Sequence, residues 1–184
     1  LVGDSWYFLD IEKFEENYKI FLTSFINLYK NTKIAYSYKT NYIPLVCKKV
    51  DELGGFAEVV SDMEYSLALY LGINPANIIV NGPYKPVKAL EKYLLSGSIV
   101  NLDSYTEFRL LKELAKKHSE SKFNIGIRCN FEISSQKFSR FGFDINDEHF
   151  INIFKELKEI PNVRFVSLHC HYPTRDVNSF IDRV

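Results

Sequence analysis

The sequence predicts an α/β fold built on a parallel β-sheet. Strand-like and helix-like segments alternate along its 184 residues, and such alternation is typical of right-handed βαβ units. Hydrophobic residues make up 46% of the chain and charged residues 25%, which is enough for a packed core. Six regular strands are fewer than the eight of a closed β/α barrel, which needs about 250 residues. The pattern therefore leaves open a doubly wound sheet or part of a barrel.

The order of the elements follows from local composition. A first strand, 5–11, precedes the regular repeats, and the other strands are expected at 33–39, 56–61, 77–83, 98–104, 123–130 and 163–172. Helices are expected at 12–30, 43–55, 62–73, 86–97, 105–118 and 146–160. Pro86 and Gly97 stand at the start and end of one helix. Ser104 and Glu107 have the spacing of a capping box for another.

Charge and cysteine content exclude several classes of function. The 23 basic residues balance the 23 acidic ones, which removes the electrostatic case for nucleic acid or anionic membrane as the main partner. Three cysteines lie far apart, without zinc-finger spacing or a disulfide framework, so a reducing cytoplasmic setting is expected. No apolar run approaches the roughly 18 residues of a membrane-spanning helix, and no signal peptide is visible.

Polar residues recur where the predicted strands end. They include Lys39, Asn41, Glu58, Ser61, Asn81, Asp103, Ser104, Arg128, Asn130, His169 and His171. In a β/α barrel this rim carries the active site. Any one of these residues alone is most simply a solvated loop residue. Convergence from six strands favours a site. Strand parity also places Ala35, Ser37 and Lys39 on one face.

Lys39 has two interpretations. It is either a surface lysine at a strand end, or a nucleophilic amine in a partly desolvated aromatic pocket, where it could form a Schiff base. His169 and His171 share a strand face and could bind a metal, but partners at suitable spacing are missing, so no metal is expected. Hydrogen-bonded histidines are the default, and an imidazole stacked on a flat aromatic cofactor is the alternative.

Five segments, in order, resemble motifs of one enzyme family. They are "AYSYKTNY", "AEVVSDMEYSLAL", "NGPYKP", "SRFGF" and "LHCHYPT". The family is the fold-type III pyridoxal phosphate (PLP) decarboxylases, which includes the diaminopimelate, ornithine and arginine decarboxylases. The resemblance implies an alanine racemase-like (β/α)8 barrel of the TIM type. Residues 1–184 would be one partial barrel domain with about six barrel strands, lacking the C-terminal β-domain with which 1–11 would pair.

The resemblance also implies roles for particular residues. Lys39 would hold PLP as a Schiff base and His171 would stack on its ring, and these two are the implied catalytic residues. The implied cofactor-binding residues are Lys39, Glu58, Glu64, Arg128, His171 and Thr174, with His169 beside them. Glu58 replaces an Asp common in the family, Arg140 replaces a Lys, and "YPT" (172–174) replaces a segment ending in Gly-Ser.

The function implied by the resemblance is PLP-dependent decarboxylation of an amino acid, a diamino acid or a related compound, by a cytoplasmic homodimer. The family's phosphate loop and the carboxylate that pairs with the pyridine nitrogen come after this region, so the 184 residues alone are expected to be inactive. Three alternatives stay open: a racemase of the same fold, a non-catalytic PLP carrier, and an inactive fragment.

Overall fold

Helices and parallel strands alternate through the computed structural model, which describes residues 7–133, 139–172 and 181. The strands are β1 (Ala35–Ser37), β2 (Phe56–Val59), β3 (Ile78–Val80), β4 (Ile99–Leu102), β5 (Phe123–Asn130), β6 (Phe143–Asp144) and β7 (Val163–His169). The helices are α1 (Ile11–Ile26), α2 (Pro44–Glu52), α3 (Asp62–Tyr70), α4 (Val87–Leu95), α5 (Tyr105–Lys117) and α6 (Glu148–Lys158). A short 3-10 helix, Pro75–Asn77, leads into β3.

All strand pairs described are parallel, and they form one sheet in the order β1-β2-β3-β4-β5, with β5 pairing both β6 and β7. From β1 to β5, each strand lies beside its predecessor in the chain. A doubly wound sheet reverses its strand order at a switch point, and this sheet does not. The topology is therefore that of a β/α barrel over the part described, which is the fold that the family resemblance implied.

The two faces of the sheet differ in character. Apolar residues at alternate positions, such as Val59, Val100 and Ile127, are fully buried in the core cluster that includes residues of α3, α4 and α5. The intervening positions carry Glu58, Asn101 and other polar or small residues. Since side chains alternate across a strand, the helices cover the apolar face and the polar face lines the barrel interior.

Helix starts follow the expected capping chemistry. The Ser104 hydroxyl accepts a hydrogen bond from the Glu107 amide at 3.3 Å, which is the serine half of the predicted capping box. The Glu107 carboxylate accepts from the Asp103 amide, one residue before the cap. Ser61 caps α3 in the same way through the Glu64 amide at 3.3 Å. These caps satisfy amide groups that have no partner inside the helix. No helix in the described ranges is both long enough and apolar enough to cross a membrane.

The predicted first strand, 5–11, is wrong over the part that can be checked. Residues 7–10 belong to neither helix nor strand, and α1 begins at Ile11, where the Asp10 carboxylate accepts a hydrogen bond from the Lys13 amide at 2.8 Å. Residues 1–6 lie outside the described residues. Tyr7 and Phe8 are exposed, because the described part of the chain offers them no strand partner. Their pairing with a C-terminal β-domain stays a prediction.

Candidate active site

An open cavity of about 520 Å³ lies at the carboxyl ends of the strands. Its lining comprises Ser37, Lys39, Thr40, Glu58, Val60, Asn81, Pro83, Arg128, Phe141, His169 and His171. The residues come from β1, β2, β5 and β7, from the turns that follow strands, and from the loop before β6. Because the carboxyl ends of parallel strands meet at one rim, residues far apart in sequence converge there.

Lys39 lies in the turn that directly follows β1, and its side chain lines this cavity. The Tyr38 amide bonds the Glu58 carbonyl at 2.9 Å, and the Tyr38 ring is buried in the core. The Thr40 hydroxyl donates to the Ser37 carbonyl at 2.8 Å and closes the turn. Because the Tyr38 ring points into the core between sheet and helices, the next residue, Lys39, faces the cavity on the other side of the sheet. Strand parity predicted this placement. The Lys39 side chain is exposed rather than partly desolvated in the part of the chain that the structure describes.

The two predicted glutamates have different surroundings. Glu58 lines the cavity and accepts a hydrogen bond from the Ser37 hydroxyl on the neighbouring strand. Glu64 is buried, and its carboxylate accepts a hydrogen bond from the Val60 amide at 2.7 Å. The structure therefore brings Glu58 into the site but places Glu64 at the start of α3, where its carboxylate holds the amide just before the cap residue Ser61.

Arg128 is the buried cation of the cavity, only 6% exposed. Its guanidinium donates to Asp103 Oδ1 at 2.8 Å, and its Cζ lies 4.9 Å from the centre of the Phe141 ring. Asp103 Oδ2 accepts a hydrogen bond from the Gly142 amide at 3.2 Å. Asp103 is therefore the carboxylate that pairs with Arg128. The Arg140 Cζ also lies 4.7 Å from the centre of the Phe141 ring.

Gly142 is required by this arrangement. Its φ of +83° is a conformation that glycine adopts without strain. A Cβ at this position would lie 2.8 Å from the Arg128 carbonyl oxygen. The loop before β6 thus packs against the backbone of β5 just where Arg128 projects into the cavity.

His169 and His171 both line the cavity, and His169 is the more buried of the two. Burial, followed by the positive charges of Arg128, His171 and Lys39, lowers the pKa of His169 to about 4. Its imidazole is therefore neutral at neutral pH. Its Nδ1 is buried and has no hydrogen-bond partner among the described residues. A buried polar atom without a partner is uncommon in folded proteins, and this one belongs to a cavity-lining residue.

A chain of polar side chains crosses the barrel interior. The Ser167 hydroxyl donates to Asn101 Oδ1 at 2.7 Å, and the Asn101 amide donates to Asn81 Oδ1, which lines the cavity. Gly126 leaves the space for this chain, since a Cβ there would lie 1.7 Å from Asn101 Oδ1 and 2.0 Å from Ser167 Oγ. The cavity wall at Asn81 is thus held by hydrogen bonds across several strands.

The structure brings together four of the residues predicted from the sequence: Lys39, Glu58, Arg128 and His171. Thr174 lies outside the described residues. The roles of Asp103 and Phe141 were not predicted. Asp103 was visible only as a polar residue at the end of a strand, and its pairing with Arg128 depends on the register of β4 against β5. No group of three or more potential metal ligands was found among the described residues.

The residues of the cavity fit an anionic, flat cofactor that carries an aldehyde. The Lys39 amine is accessible to the cavity, Arg128 supplies a permanent positive charge, and His169 and His171 supply two imidazoles. The His169 Nδ1 adds an unused hydrogen-bonding atom. The volume lies within the usual range of ligand pockets, roughly 300–1,000 Å³. PLP has the charge and functional groups that this set of residues would bind.

The fold and this rim define a β/α-barrel protein with an amine-bearing cavity at the carboxyl ends of its strands. Residues 11–181 match the family model described as pyridoxal-dependent decarboxylase, pyridoxal binding domain. The chain belongs to this family, and the resemblance predicted from its motifs is confirmed.

Named relatives agree with the family. Diaminopimelate decarboxylase of Aquifex aeolicus is 31% identical over 148 residues, which cover 75% of this chain and 34% of the relative. The enzyme of Methanocaldococcus jannaschii is 26% identical over 196 residues, covering 98% of this chain and 44% of the relative. Antizyme inhibitor 1 of Mus musculus is 33% identical over 141 residues, covering 73% and 31%.

Solved structures show the same architecture. The crystal structure of diaminopimelate decarboxylase from M. jannaschii in complex with L-lysine matches with a TM-score of 0.77 and 26% identity, over 91% of this chain and 43% of that one. The predicted barrel fold is thereby confirmed. The chain spans between about a third and under half of the length of the curated relatives described above.

Proposed function

We propose that this chain binds PLP in the cavity at the strand ends and that the protein decarboxylates an amino acid. The observation that carries the proposal is the Lys39 amine, which shares one cavity with Arg128, His169 and His171 in a domain of the pyridoxal-binding family. When bound, PLP supplies an electron sink for the pair of electrons left when a carboxylate departs as CO₂. The residues of the chain supply binding, orientation and proton transfer.

The roles of the residues follow from their placement. Lys39 Nζ would bind the aldehyde carbon of the cofactor and, once released by the substrate amine, would hold a proton near the reacting carbon. Arg128, whose charge is largely balanced by Asp103 at 2.8 Å, would offer its other guanidinium N–H groups as hydrogen-bond donors to the anionic cofactor. The neutral His169 can accept a hydrogen bond, and His171 lies beside it at the cavity wall.

The substrate class proposed is a diamino acid or a related amino acid. Two relatives are named diaminopimelate decarboxylases, and a third, of Dictyostelium discoideum, is named a probable ornithine decarboxylase. The M. jannaschii structure named above is a complex with L-lysine. We also propose that the protein is a homodimer, which light scattering coupled to size-exclusion chromatography would test. We propose a cytoplasmic location, which cell fractionation would test.

Release of CO₂ tests the proposal. The full translation product, supplied with PLP, is expected to release CO₂ from at least one of diaminopimelate, ornithine, lysine and arginine, and the variant Lys39→Ala is expected to release none. The variant Lys33→Ala is a matched control, because Lys33 is also exposed and lies outside the cavity. A protein that binds PLP and racemises alanine, but releases no CO₂ from these amino acids, would contradict decarboxylation.

A second candidate is a binding protein of the same family without catalysis. The specific observation in its favour is the similarity to antizyme inhibitor 1, a relative whose name describes no decarboxylase. The two candidates differ in one readout. A non-catalytic protein would release no CO₂ from any amino acid tested, even at saturating PLP.

A further inference from the structure

A buried ion pair outside the cavity has no role in the function proposed so far. Lys85 is 2% exposed and Glu107 is 3% exposed, and the Lys85 Nζ lies 3.0 Å from Glu107 Oε2. Neither residue lines the cavity. Burial lowers the pKa of Lys85, and the charge of Glu107 opposes that shift. Among the ion pairs of the described residues, only Arg128 with Asp103 is comparably buried.

Packing alone does not explain this pair. Removing two charges from water is expensive, and apolar side chains of similar volume often serve packing equally well. What the pair supplies is directed hydrogen bonding. The Lys85 ammonium donates to the Gly82 carbonyl at 2.6 Å, and the Lys85 amide donates to Glu107 Oε1 at 3.0 Å. Glu107 Oε2 also accepts from the Asp103 amide at 2.9 Å. The pair therefore joins the turn after β3 to the turn after β4.

The second of these turns leads directly to the cavity. The Asp103 amide is held by Glu107, while its carboxylate holds the Arg128 guanidinium and the Gly142 amide. A continuous chain of hydrogen bonds thus runs from Lys85 to the buried cation of the cavity. Without the Lys85 ammonium, Glu107 would still accept from the Asp103 amide, but its Oε2 would lose the charged partner that holds it in place. The Asp103 carboxylate, and the Arg128 guanidinium that pairs with it, would then be held less firmly.

We propose that Lys85 and Glu107 are positioning residues that fix Asp103, and through it Arg128, in the geometry needed to bind an anionic cofactor. The proposal deepens the function proposed above and rests on it, since PLP is the anion concerned. Neither residue touches the cofactor. They act on the position of Arg128 through the Asp103 amide. A residue that only stabilised the fold would have no such specific effect on Arg128.

The test compares Lys85→Met with Leu111→Ala. Leu111 is fully buried in α5, one turn after Glu107, and makes no polar contact, so its loss destabilises the same helix without touching the chain of hydrogen bonds. PLP affinity is measured by titration at a temperature where both variants are folded by circular dichroism. Lys85→Met is expected to weaken PLP binding at least tenfold, and Leu111→Ala less than threefold. Equal losses in both variants would overturn the proposal.

Hydrogen exchange gives a readout that does not depend on PLP. The Gly142 amide, which donates to Asp103, is expected to exchange at least tenfold faster in Lys85→Met and at an unchanged rate in Leu111→Ala. If Lys85→Met does not fold, the neutral pair Lys85→Met with Glu107→Gln takes its place. If the unmodified chain binds no PLP, the proposed function fails, and the Gly142 exchange rate alone decides the positioning role. An unchanged rate there would refute that role.

Discussion

Replacing Gly126 by alanine should destabilise the barrel by removing the hydrogen bonds beneath the cavity. Gly126 has no positive φ, so its requirement is for space and not for backbone conformation. The new Cβ would overlap Asn101 Oδ1 and Ser167 Oγ, and both side chains must rotate away. Two hydrogen bonds at about 1 kcal/mol each would be lost, and the buried Asn101 amide would be left unsatisfied at about 1–3 kcal/mol. Lower entropy of the unfolded chain returns about 0.4–1 kcal/mol. The expected net loss is about 2–4 kcal/mol.

Urea unfolding followed by circular dichroism measures this loss. Gly72→Ala is the matched control, because Gly72 has a φ of +78° and no atom near its would-be Cβ, so it should lose only about 1 kcal/mol. In a background of Asn101→Ala with Ser167→Ala both clashing side-chain atoms are removed, and Gly126→Ala should then cost under about 1 kcal/mol. An equal cost of Gly126→Ala in both backgrounds would refute the steric argument.

Three further predictions concern the site and its supports. Arg128→Met leaves the buried Asp103 carboxylate unpaired and should lower the free energy of unfolding by about 3–5 kcal/mol in urea, and adding Asp103→Asn should recover part of that loss; no recovery would contradict the pairing. Because the folded pKa of His169, about 4, lies below its ordinary 6.5, the unfolded chain takes up that proton first. The stability contribution of His169 is therefore present at neutral pH and is lost as the pH falls from about 6.5 to about 4, by about 3 kcal/mol. The variant His169→Asn should lack this part of the acid destabilisation. The control His149→Asn, at an exposed position, should retain it. Ser104→Ala removes the cap of α5 and should cost about 1 kcal/mol in the same urea assay; a cost near zero would mean that the hydroxyl does not cap the helix in solution.

The sequence was most informative where a local pattern decides the structure. Each of the six predicted helices forms, because apolar spacing and end signals such as the Ser104 cap are local properties. Helix ends were less well placed, and α1 ends at Ile26, four residues earlier than predicted. β6 was missed because it has two residues and depends on β5 for its pairing. The strand predicted at 5–11 does not form over residues 7–10, for a related reason. A strand needs a partner, and composition does not supply one.

Most cavity residues could be predicted from the sequence because they lie at the ends of strands. Lys39, Glu58, Arg128 and His171 meet there once the strands are parallel and in order. Glu64 illustrates the limit of a motif. Its spacing from Ser61 equals that of Glu107 from Ser104, and each carboxylate accepts a hydrogen bond from the amide just before its helix cap. The contacts of Lys85 and Asp103 could not be predicted, because they depend on how consecutive turns pack against one another.

Lys39 is the amine proposed to bind the cofactor, and covalent labelling tests this role directly. The chain is mixed with PLP, reduced with borohydride, digested, and mapped by mass spectrometry for the lysine that carries the pyridoxyl group. The predicted result is one dominant adduct on Lys39, absent from Lys39→Arg, with little labelling of Lys88, which is exposed but outside the cavity. Labelling spread evenly over exposed lysines, or undiminished total labelling in Lys39→Arg, would contradict the account.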